Sequence, residues 1–82
     1  MLKNELLGEI IILMKELGQD TVTPSQTKEK ILNSINTLNQ DIDLSVKASK
    51  VIHEMEETSQ QNNIESYTRT QLWNIVSLLE KL

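Results

Sequence analysis

The chain has 82 residues, no cysteine, and a formal net charge of −4. That length fits one domain whose stability must come from apolar burial alone, without disulfides or cysteine metal sites. An acidic balance disfavours a protein that lives by neutralising phosphates, and no apolar run is long enough for a membrane span or a signal peptide.

Apolar residues recur at helical steps throughout. In the first segment Leu2, Leu6, Leu7, Ile10, Ile11, Leu13, Met14 and Leu17 share one broad face, with Ile12 beyond it. Gly18 is placed as the C-terminal stop. Thr23-Pro24-Ser25-Gln26 then reads as a capping box, with Thr23 as the cap and Pro24 in the first turn of a second helix. Ile31, Leu32, Ile35 and Leu38 supply that helix's stripe, and it should end near Asn39.

Asp41 and Asp43 offer caps to a third helix lined by Leu44, Ala48, Val51, Ile52 and Met55. The polar stretch from Thr58 to Asn63 reads as a loop. A last helix begins between Asn63 and Ser66 and runs to the C-terminus, centred on Leu72, Ile75, Val76 and Leu79, with Leu78 and Leu82 on its rim. No stretch alternates at period two, so no strand is expected. The predicted fold is all-α: one domain over 1–82, a four-helix bundle of two stacked hairpins, 1–41 and 42–82.

The hairpins look related. A shift of 41 residues pairs Ile11 with Ile52, Met14 with Met55, Thr27 with Thr68, Asn33 with Asn74 and Leu38 with Leu79. It also pairs Lys28 with Arg69 and Leu32 with Trp73. A period near forty with two helices per unit is HEAT-like, and Asp43-x-x-Val46-Lys47-Ala48 is similar to the start of such repeats. Each hairpin has a single apolar face and must pack on the other.

Catalytic chemistry finds no foothold. His53 and Glu57 share a helix face at i, i+4, but a zinc site wants three or four ligands, and a solvated charged face with a Lys50–Glu54 pair is the simpler reading. No serine or threonine sits beside a histidine or in a glycine elbow, and no phosphate-cradling loop exists. Glu56 and Glu57 point to different faces. We therefore expect no enzyme activity, metal, cofactor or small-molecule substrate.

Arg69 and Trp73 stand at i, i+4 on the last helix, where guanidinium and indole can stack. Residues of these types commonly anchor interfaces. The competing expectation is that Trp73 wedges between the hairpins as core, as its repeat partner Leu32 suggests. The wide apolar stripes of helices 1 and 4 fit either central positions or a homodimer through one of those helices. Lys28, Lys47, Lys50 and Arg69 are the basic candidates, with Lys28 and Arg69 expected on one side. The reading is a non-catalytic protein-interaction module. The alternative is an RNA-binding or ribosome-associated accessory protein.

One resemblance runs through nearly the whole chain. Thr68-Arg69-Thr70-Gln71-Leu72-Trp73-Asn74-Ile75-Val76-Ser77, followed by Leu79-Glu80, resembles the closing signature of a small archaeal family, uncharacterised protein family 0147. Asp20-Thr21-Val22-x-Pro24 and Leu44-Ser45-Val46-Lys47-Ala48 resemble its second-helix turn and third-helix start. The chain departs from the family's pattern at Ser25-Gln26-Thr27-Lys28-Glu29-Lys30, where arginines and alanines are usual, and at Asn62-Asn63-Ile64-Glu65, which lacks a proline. The resemblance implies a helical bundle in an archaeal cytoplasm and brings no assigned activity.

Overall fold

Residues 2–82 are described by a computed structural model, in which the chain forms helices α1 (Lys3–Gln19), α2 (Ser25–Leu38), α3 (Leu44–Ser59) and α4 (Ser66–Leu79). No strand occurs among the described residues. Each helix buries the stripe its spacing dictates: Leu6, Ile10, Met14 and Leu17 from α1, Ile31, Ile35 and Leu38 from α2, Ala48, Val51 and Met55 from α3, and Leu72, Ile75, Val76 and Leu79 from α4. Fully burying one such side chain is worth roughly 1.5–3 kcal/mol before ordering costs.

The helices form a closed ring. α1 packs on α2, α2 on α3, α3 on α4, and α4 returns to α1, while the backbones of the diagonal pairs α1/α3 and α2/α4 do not approach each other closely. Short connections over residues 20–24, 39–43 and 60–65 make successive helices antiparallel. In a HEAT array the like helices of consecutive units would stack, so this packing is a bundle and not a solenoid. The helix starts keep one spacing: α1 and α3 begin at residues 3 and 44, α2 and α4 at residues 25 and 66.

Helix ends differ from expectation in instructive ways. Gly18 is not a left-handed stop, because no glycine has positive φ and α1 continues through Gln19. Thr23 does not cap α2. The N-cap is Pro24, without a side-chain hydrogen bond, and no capping box forms. The Thr23 hydroxyl turns backwards instead and donates to the Leu17 carbonyl at 2.9 Å, closing α1 from a buried position. Asp43 caps α3 as expected, accepting from the Ser45 amide at 2.9 Å.

The Thr58–Asn63 loop begins later than its polarity suggests. Thr58 and Ser59 extend α3, their hydroxyls returning to the Glu54 and Glu56 carbonyls, each at 2.7 Å. α4 ends at Leu79, short of the C-terminus. Leu78 and Leu82 are partly buried against the core, so the wide stripe of α4 is mostly used inside the bundle. α1 behaves differently: Ile12 is 57% exposed, and Leu13, expected inside, lies on its flank at 37%.

Trp73 is not a wedge between hairpins. It is 55% exposed, and Leu32 in the first half is 56% exposed. Both follow a fully buried residue, Ile31 or Leu72, and one step along a helix turns the side chain by about 100°. The stripe centre is already filled by residues three and four apart, which leaves these two on its outer shoulder.

Candidate interaction surface

On α4 the residues Arg69, Trp73, Val76 and Ser77 lie on one side, at steps of four, three and one. They line one wall of an open groove between α3 and α4, faced by Glu56 and Ser59 of α3 and by its C-cap Gln60, with a volume of about 530 Å³. Within this lining Val76 and Ser59 are buried, while Trp73 is exposed. Arg69 and Trp73 therefore both line this one groove.

Arg69 has a further task that its spacing did not announce. Its Nε donates to the Ser59 carbonyl at 2.8 Å, and one terminal nitrogen donates to the Gln61 carbonyl at 3.0 Å. The Ser59 carbonyl ends α3, where orphan acceptors and the negative end of the helix dipole favour a cation, and the Gln61 carbonyl lies in the connection just beyond it. The guanidinium thus staples the start of α4 to the end of α3. Half-buried and with its charge aimed at backbone, it forms part of the groove's frame.

The other basic candidates are not gathered with it. Lys47, in the first turn of α3, donates from Nζ to the Gln40 carbonyl at 3.0 Å. The rise of α3 separates that turn from the Arg69 staple by roughly 18 Å. Lys50 is exposed on the α2 side of α3, in a shallow groove with Asn33, Thr37 and Glu54. Lys30 reaches across from α2 to Glu54 at 3.8 Å. Lys28 lies about 200° round the helix from Lys30, on the α1 flank. Lys28 and Arg69 therefore occupy different seams, contrary to the expectation of a shared side.

His53 is turned outward on α3 and meets Glu57 at 3.0 Å. The side chain of His53 is 74% exposed, which matches the solvated-face reading. The expected Lys50–Glu54 pair is replaced by the inter-helix Lys30–Glu54 contact. Among the described residues no three His, Cys, Asp or Glu side chains are grouped to hold a metal, and no helix is long and apolar enough to cross a membrane.

Asp43 has a lowered pKa. Hydrogen bonds from the Ser45 hydroxyl, then from the Ser45 and Val46 amides, hold its carboxyl below the ordinary value. That stabilises the cap of α3 and is remote from the groove.

Of the residues that line the groove, Glu56, Ser59, Gln60, Val76 and Ser77 were not read from the sequence as part of an interaction surface. The signal available was the phase of Val76 and Ser77 with Trp73. The α3 partners could not be paired with them without knowing the order of the ring.

The closed antiparallel ring defines a small four-helix-bundle protein with an open, Trp-edged groove along the α3–α4 seam. The chain belongs to the Uncharacterised protein family (UPF0147), which matches over residues 1–82. It is similar to the UPF0147 protein of Sulfurisphaera tokodaii, at 36% identity over 90% of this chain and 84% of that one. A second relative, from Thermococcus kodakarensis, is 32% identical over 96% of this chain and 98% of its own length. The crystal structure of a UPF0147 protein from Thermoplasma acidophilum has the same fold, with a TM-score of 0.92, 29% identity, and 96% and 94% of the two chains covered.

Proposed function

We propose that this chain is a non-catalytic protein-interaction module of small helical-bundle type, acting in the cytoplasm without metal or cofactor, with the α3–α4 groove as its contact surface. The observation that carries this reading is Trp73, the chain's single tryptophan, held 55% exposed at the edge of that groove. Leaving a large aromatic in water forgoes burial energy, and such residues concentrate binding energy where a partner covers them. The Arg69 staple supports the reading, since a fixed groove loses little conformational entropy on binding. The RNA-associated alternative is weakened by Lys47 and Arg69, both committed to backbone carbonyls.

The test is a photo-cross-linking amino acid placed at position 73 and, separately, at exposed position 36 on α2, the helix diagonal to α4. The two proteins are mixed with lysate of the source organism. The reading expects an adduct at 73, competed by unlabelled wild-type protein and absent at 36. No competed adduct at 73, or equal adducts at both positions, refutes it. Self-association through α1 or α4 is a special case, and a monomeric mass in sedimentation equilibrium at high micromolar concentration removes it.

A further inference from the structure

We infer that the α3–α4 groove takes a cationic side chain, an arginine or lysine of a basic protein segment, seated between the Trp73 indole and the Glu56 carboxylate. This rests on the reading above and adds the chemistry of the partner. The charges of the seam support it. Glu56 lines the groove and has no ion pair among the described residues. Arg69 is the single charged residue within α4, and two of its donors are already taken by the carbonyls that end α3. No lysine lines the groove. Glu80, the C-cap just past α4 and seven residues beyond Trp73, adds another exposed carboxylate in line with that row.

An exposed indole and a carboxylate outside any ion pair, with the Arg69 guanidinium on the same groove turned to backbone carbonyls, make a complementary seat for a cation. The ring quadrupole attracts the charge, and the carboxylate accepts its hydrogen bonds. A planar guanidinium satisfies both at once, so arginine should outrank lysine. The net charge of −4 steers a basic segment towards the domain, and the groove then gives it one seat. Nucleic acid is the wrong occupant, because its phosphates would face Glu56.

Trp73 is a built-in reporter, being the only tryptophan. Its emission is followed at physiological salt while purified full-length protein is titrated with one of four probes. These are an arginine–serine decapeptide, a lysine–serine decapeptide, a glutamate–serine decapeptide and oligouridylate. The expected result is a saturable change with the two basic peptides, stronger for arginine. Glu56→Gln should weaken binding by up to roughly five-fold, the upper range of an exposed ion pair. Glu29→Gln on α2 should leave it unchanged.

No saturable response to the basic peptides overturns the inference, as does binding of oligouridylate in their place. Equal weakening by Glu56→Gln and Glu29→Gln also overturns it, since bulk charge alone would then be responsible. If the competed cross-link at 73 persists while basic peptides fail, only the cationic partner falls. If the cross-link is absent too, the interaction surface itself falls.

Discussion

Replacing Arg69 with alanine removes two hydrogen bonds from a charged donor to carbonyls at the end of α3, at 2.8 and 3.0 Å. A hydrogen bond to a charged group is worth about 1.5–3 kcal/mol where water is excluded and less where it is not. The Ser59 bond is partly buried and the Gln61 bond is exposed, so the sum is discounted to about 1.5–2.5 kcal/mol. For a domain of this size each kcal/mol moves the melting midpoint by about 4–8 °C, giving an expected fall of roughly 6–20 °C. Thermal and urea unfolding followed by far-UV circular dichroism measure it, with an unchanged urea slope if the folded state stays compact. Arg69→Lys keeps the charge near the helix end but cannot serve two carbonyls in fixed geometry, so it should recover about half the loss. Hydrogen exchange should quicken at the amides of Ser59 to Gln61 and not in α1. A melting shift below about 2 °C for Arg69→Ala, or identical behaviour of the lysine variant, would refute the staple.

Thr68 is fully buried, and its hydroxyl has no partner among the described residues. Thr68→Val should therefore raise stability by about 1 kcal/mol by removing an unsatisfied polar atom, read as a higher urea midpoint. Gly8 lies inside α1 with nothing within 4 Å of an added Cβ, so Gly8→Ala should stabilise by about 0.5–1 kcal/mol. Gly18→Ala places its methyl 3.5 Å from Ile31, an ordinary contact, and should be neutral or mildly stabilising in the same unfolding assay. Asp43 has a folded acidity below its ordinary value of 3.8, so its stabilising contribution is complete above that pH and is lost as pH falls through the lower folded value. Asp43→Ala should consequently be less stable than wild type at neutral pH, with the gap closing under acid unfolding below about pH 4.

The core was legible because its residues repeat at three and four. Ile10, Met14, Ile31, Leu38, Val51, Met55, Leu72 and Leu79 all fall where the phase puts them. Leu32 and Trp73 misled because hydropathy alone cannot separate the centre of a stripe from its shoulder, and one 100° step decides burial. Thr27 and Thr68 show the reverse failure. Each lies four residues before a core position, Ile31 or Leu72, and is buried despite being polar. The capping box at Thr23 was a sound local reading, overridden when the hydroxyl found the Leu17 carbonyl across the turn. Arg69 was noticed for its neighbour Trp73, yet its partners, Ser59 and Gln61, belong to another helix and the following loop. Local sequence rules carry no term for that encounter.

The ring order has a consequence for handling the protein. With antiparallel helices in sequence and α4 packed against α1, Leu2 and Leu82 emerge at one pole of the bundle. The 60–65 connection, and the half of the seam that Trp73 overlooks, lie towards the other pole. An affinity tag, a fluorophore or an immobilising tether on either terminus therefore holds the molecule by its base and leaves the indole facing outward.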